Sequence, residues 1–106
     1  MKHVTILGEG AWGTAVATLL AHNGYQVRIW CHHKELVDSI NTTHKNERFL
    51  PGILLDKKIK AVASLEEALS DVTWVFEAIP VKHLRTVLKE AKQWVQEEQI
   101  WVVLSK

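Results

Sequence analysis

Gly8-Glu9-Gly10-Ala11-Trp12-Gly13 separates the apolar run Val4-Thr5-Ile6-Leu7 from the small-residue stretch Thr14-Ala15-Val16-Ala17-Thr18-Leu19-Leu20. A glycine turn with a strand pattern before it and a helix pattern after it commits the chain to a β-turn-α unit. Each glycine has its own reason to be there. Gly8 permits the tight turn out of the strand, and Gly10 keeps a Cβ away from an approaching ligand. Gly13 lets the new helix pack against the sheet. The free N–H groups and positive dipole end of that helix then face an anion, the arrangement that holds a dinucleotide pyrophosphate.

The rest of the pattern alternates. Strands are expected at 3–7, 26–30, 59–62, 73–79 and 100–104, and helices at 11–22, 34 to about 40, from 64, and 81–95. Asn23-Gly24 closes the first helix, Ser64-Leu65-Glu66-Glu67 has capping-box spacing, and Pro80 stops the fourth strand. In the longest helix Leu84, Leu88, Ala91 and Val95 mark one face, while Asn41 to Lys58 reads mostly as loop. Alternating strands and helices imply an α/β fold, a doubly wound parallel sheet of Rossmann type. The expected strand order is 3-2-1-4-5, with a ligand crevice at the carboxyl ends of strands one and four. Such a sheet is expected to continue beyond Lys106, so the domain reads as incomplete at its carboxyl end.

Composition removes some classes of function. A net charge of +1 provides no basic field, so nucleic acid is not an expected partner. The single cysteine, Cys31, can form no internal disulfide, which fits a reducing compartment. No signal peptide or membrane span is legible. His32 and His33 are adjacent and lack an acid or cysteine set, so no metal site is expected. His3, His22, His44 and His83 are scattered and read as solvent-exposed, and Cys31 as structural.

Dinucleotide folds that take NAD place Asp or Glu at the end of the second strand, where it accepts the ribose hydroxyls. This chain has Trp30-Cys31-His32-His33-Lys34 there instead. An acid would repel a 2′-phosphate, whereas imidazole and ammonium groups can donate to it, so the NADP form is favoured. Trp12 reads equally well as a cofactor-lining side chain or as packing on the sheet edge. Glu77, an acid within an apolar strand, should be paired, protonated or close to the crevice mouth.

Four motifs resemble the N-terminal half of the NAD(P)-dependent sn-glycerol-3-phosphate dehydrogenases. They are Gly8-Glu9-Gly10-Ala11-Trp12-Gly13-Thr14-Ala15, Trp30-Cys31-His32-His33, Asn46-Glu47-Arg48-Phe49-Leu50-Pro51-Gly52, and Val102-Val103-Leu104-Ser105-Lys106. They span the whole chain in order. The resemblance implies that residues 1–106 are the NAD(P)-binding domain of a cytoplasmic oxidoreductase, with a helical substrate domain outside this chain. That enzyme would interconvert dihydroxyacetone phosphate and sn-glycerol 3-phosphate, using NADPH or NADH, for glycerophospholipid synthesis. It is compatible with a homodimer of the full-length protein.

Carried over by position, the resemblance places Ala11 and Trp12 at the cofactor phosphates and His32 and His33 near the adenosine ribose. It places Phe49 towards the adenine, and gives Lys106 contacts with both nicotinamide cofactor and substrate. The catalytic lysine of the family belongs to the second domain, so no catalytic residue is expected here. Two departures stand out. Glu47 occupies a position where the family has proline, and Ile79-Pro80-Val81 lacks the hydroxyl of the family's Val-Pro-Ser. Glu77-Ala78 is similar instead to the hydroxyacyl-CoA dehydrogenases, an NAD-dependent alternative. A non-enzymatic nucleotide-sensing module is a second alternative.

Overall fold

A computed structural model of the chain describes residues 2–104. Five parallel strands form one sheet: β1 (His3–Leu7), β2 (Gln26–Trp30), β3 (Ile59–Val62), β4 (Trp74–Glu77) and β5 (Ile100–Val103). Their order is β3-β2-β1-β4-β5, as the alternation of elements implied. The helices are α1 (Ala11–His22), α2 (Glu35–Thr43), α3 (Leu65–Leu69) and α4 (Val81–Ala91), the last continued by a 3-10 turn at Lys92–Trp94.

Strand alternation sorts the core into two layers. Val4, Ile6, Val27 and Ile29 face α1 and α2, where Ala17, Ala21 and Ile40 close the packing. Leu7, Trp30, Val62 and Val75 face α3 and α4 and meet Leu65, Leu69, Val87 and Ala91. Ile6 and Ile29 are wholly buried, each contributing about 1.5–3 kcal/mol relative to an exposed side chain. Thr5 lies on the α3 side, and its hydroxyl donates to the Ala68 carbonyl at 2.6 Å. A polar residue therefore fits inside an otherwise apolar strand.

Local chemistry explains the helix ends. The Ser64 hydroxyl accepts the Glu67 N–H, as the capping spacing implied. Gly24, at φ 94°, carries the chain out of α1, and the Asn23 side-chain amide donates to Leu19 O. Three elements end more than one residue away from the sequence expectation. α2 runs on through the polar Asn41-Thr42-Thr43 and ends on His44 at φ 57°. α4 ends at Ala91, and its buried positions are Val87 and Ala91, whereas Leu88 and Val95 are exposed. β4 stops at Glu77 rather than Ile79, because the Glu77 carboxylate captures the Ile79 N–H and turns the chain off the ladder.

The strands finish level. Val62, Trp30, Leu7, Glu77 and Val103 lie side by side in register, forming the last row of the sheet. Past this row single backbone bonds continue the pairing: Gly8 N–H to Trp30 O, Cys31 N–H to Val62 O, Ala78 N–H to Leu7 O and Leu104 N–H to Glu77 O. The chain leaves β1 towards β2 but leaves β4 towards β5, so the connections diverge between β1 and β4. A crevice at this end of the sheet follows from that divergence.

Candidate functional site

The glycine turn sits on this rim, and its three glycines are required for different reasons. Gly8 has φ 116°, and a Cβ there would lie 2.6 Å from the Ala78 carbonyl oxygen. A Cβ on Gly13 would lie 2.4 Å from Gly8 O and 3.3 Å from the Ala78 Cβ. Gly13 thus seats α1 on the turn and on the end of β4, a more specific contact than the general helix-on-sheet packing expected. Gly10 is unlike both, since a Cβ there would meet nothing within 4 Å. It is also the N-cap of α1, where no side chain caps the helix and no acid occupies the first turn. An uncapped helix start beside open space is chemically suited to a phosphate.

Trp12, the second residue of α1, is 60% exposed. That exposure leaves much of an aromatic surface open beside the turn. Ala11 beside it is exposed as well.

Glu9, the residue between the glycines, is buried and organises the site, a role that sequence reasoning missed. Its Oε2 accepts the His33 backbone N–H at 2.6 Å and lies 3.1 Å from the same residue's Nδ1. Its carbonyl oxygen accepts from Asn46 Nδ2 at 2.7 Å and from Thr14 Oγ1 at 3.0 Å. Asn46, fully buried, also donates to Thr14 Oγ1, and its Oδ1 accepts the Phe49 N–H. Turn, post-β2 segment and distal loop are joined through one acid and one amide. The available signal was an acid between two turn glycines, where a residue facing only solvent would be unremarkable. An acid does therefore reach the end of β2, but from a position far away in the chain, and it is spent on His33.

Phe49 packs its ring 5.4 Å from that of His33, and the Arg48 guanidinium lies over Phe49 while pairing with Glu35 at 3.0 Å. Glu47, at the family's proline position, accepts the Gly52 N–H at 3.2 Å and helps close the loop by a hydrogen bond instead of a ring. His32 is exposed and stacks on His83 of α4, with ring centroids 4.8 Å apart and planes 25° apart. His83 and His44 are half-buried, contrary to the expectation that they are solvent-exposed.

Lys34 is less available than its position suggests. Its Nζ lies 4.5 Å above the Trp30 ring and donates to the carbonyls of Cys31 and Ala63. Burial pushes the Cys31 thiol up to about 12, with Glu9 adding to the shift and Lys34 opposing it. A thiol so disposed is inert packing, as expected. Across the crevice, buried Glu77 accepts the Ile79 N–H at 2.7 Å in the row beside Leu7. It is paired and close to the mouth, two of the three situations open to it. Among the described residues no group of three His, Cys, Asp or Glu could hold a metal ion. No helix among them is long and apolar enough to cross a membrane. Lys106 lies outside the described residues.

Residues 3–106 match the family model for the N-terminus of NAD-dependent glycerol-3-phosphate dehydrogenase. A glycerol-3-phosphate dehydrogenase (NAD(P)+) of Bacillus cereus strain B4264 is 51% identical over 106 residues, all of this chain and 31% of its own length. The crystal structure of glycerol-3-phosphate dehydrogenase from Coxiella burnetii superposes with a TM-score of 0.94 at 30% identity, covering 99% of this chain and 32% of that one. The yeast enzyme's structure gives 0.90 at 30% identity, over 99% and 33% of the two chains. The chain thus spans about a third of the length of each relative.

Proposed function

The chain belongs to the NAD-dependent glycerol-3-phosphate dehydrogenase family, matching its N-terminal part, and we propose that it holds the nicotinamide dinucleotide of such an enzyme in the crevice between β1 and β4. The observation that carries this reading is Gly10, a glycine with no packing reason, at the uncapped start of α1. Gly8, Gly10 and Gly13 shape the turn for the pyrophosphate, and the backbone of Ala11 and Trp12 supplies donors to it. His32 and His33 flank the adenosine ribose, with Phe49 beyond them on the adenine side. When bound, the cofactor supplies the hydride. The chain's residues bind and orient it: Glu9 fixes His33, Asn46 fixes the turn to the distal loop, and Glu77 shapes the end of β4.

In the longer protein, residues 1–106 form the cofactor domain. A second, helical domain holds dihydroxyacetone phosphate or sn-glycerol 3-phosphate, and Lys106 contacts both cofactor and substrate. The reaction feeds glycerophospholipid synthesis in the cytoplasm. NADPH is the favoured cofactor, because the residues just past β2, Cys31 to Lys34, include no acid, and the Glu9 carboxylate that reaches them is buried against His33. The hydroxyacyl-CoA alternative rested on Glu77, and the Ile79 N–H gives that acid a local structural role.

The experiment is calorimetry with NADPH and NADH on the wild-type chain and on Gly10→Val. Gly10 has φ −62°, so valine fits the backbone, and its side chain would fill the space left for the phosphates. The variant should keep its circular dichroism and lose at least ~100-fold in affinity for both cofactors, as loss of a close phosphate approach implies. A folded variant that binds as well as the wild type would overturn the site.

A further inference from the structure

We propose that His83, on the first turn of α4, reads the 2′-phosphate of NADPH jointly with His32, and so helps to set the preference for the phosphorylated dinucleotide. The inference rests on the dinucleotide reading above and adds a residue from a different element of the fold.

Most of the polar capacity around the end of β2 is already committed. His33 is engaged by Glu9, Lys34 donates to two backbone carbonyls, and Arg48 pairs with Glu35. His32 and His83 differ from all three. They stack on each other, and among the described residues neither imidazole has a hydrogen-bond partner. Every imidazole carries at least one N–H, and two rings 4.8 Å apart lie within bridging distance of the oxygens of one phosphate.

The surroundings favour negative charge at this place. Pro80 caps α4 without a side-chain hydrogen bond, and no acid occupies its first turn, where Lys82 precedes His83. The positive end of an eleven-residue helix dipole therefore points to the same region as the stacked rings. His83 is half-buried and its backbone N–H is held by Pro80 O at 2.9 Å. It thus provides an anchored surface that pre-orders the exposed His32 ring, and ordering before binding lowers the entropy lost on binding.

The test is the ratio of NADPH to NADH affinity, measured by calorimetry on the wild-type chain and four variants. His83→Phe keeps an aromatic partner for His32 and removes the donor. It should weaken NADPH by roughly fivefold or more while leaving NADH within about twofold, as loss of a charge-assisted hydrogen bond would. His83→Gln restores a donor without the stack and should recover part of the NADPH affinity, and His83→Ala should lose as much as His83→Phe. Equal losses for both cofactors in His83→Phe, or no loss, would overturn the proposal, as would a Gln variant no better than Ala. His32→Asp reports separately on the NADPH preference. If it lowers the ratio while His83→Phe does not, only the role of His83 fails. If the wild-type chain binds neither cofactor, the dinucleotide reading itself fails.

Discussion

Glu9 and Cys31 show what a position in the sequence does and does not reveal. Glu9 stands where the fingerprint tolerates any residue, so nothing in the motif distinguishes a solvated acid from a buried one. Its role appears only when residues 33 and 46 arrive beside it. Cys31 was readable as structural, and the fold buries its thiol against Ile29 O, away from the histidines that follow it in the chain. Its raised pKa has a consequence for stability. The thiol stays neutral in the folded chain, whereas in the unfolded chain it ionises above its ordinary value of 9.0. Its contribution is therefore complete below about pH 9 and is lost as pH rises towards 12. At pH 10 the loss should be about 1.4 kcal/mol, one pH unit into that window. Urea unfolding at pH 7 and pH 10 checks this: the stability gap between wild type and Cys31→Ala should narrow by that amount. A gap independent of pH would show that the thiol ionises alike in both states.

The regular elements were legible wherever two signals coincided. α1 had glycine at both ends and small residues on its buried face, and its observed limits match the expectation. The end of α2 was hidden, since Asn41-Thr42-Thr43 has weak helix propensity and His44 rather than glycine takes the left-handed position. The face of α4 was read in part: Leu84 and Ala91 do meet the core, but Leu88 and Val95 satisfy helical spacing as well as Val87 does, and only packing decides between them. The loop from 44 to 55 has no periodicity to read, yet it is held by Asn46, by the Leu50 N–H to Asn46 O bond and by the Leu55 N–H to His44 O bond. Asn46→Ala should therefore do more than shorten a loop residue. It removes the buried partners of Glu9 O, Thr14 Oγ1 and the Phe49 N–H, which should cost about 2–3 kcal/mol in urea unfolding. The Phe49 amide should also lose hydrogen-exchange protection before the sheet does. Unchanged exchange at Phe49 would mean that the loop is held by its backbone bonds alone.

The chain covers 31% of the length of its Bacillus relative, and the proposed chemistry divides along that line. Reduction of a ketone by hydride needs the substrate held at attack distance and a proton donor at its oxygen. Both are assigned here to the second domain. Residues 1–106 alone should consequently bind NADPH and show no dihydroxyacetone phosphate reductase activity in a nicotinamide absorbance assay. In the longer protein Lys106→Ala should lower turnover and substrate affinity together. Measurable turnover by the isolated chain would mean that the catalytic groups lie within it. One feature of the architecture sorts the effects of mutation before any is made. All five strands end on the same row, from Val62 across to Val103, and the turn, the histidines and Glu77 lie on or just past it. Height along the sheet is thus a scale of consequence. Changes within the strands, from Val4, Val27 and Ile59 up to the buried Leu7, Trp30 and Val62 of the last row, should lower the melting temperature, whereas changes just past the row at open positions such as Gly10 and His32 should leave a stable molecule with altered ligand choice.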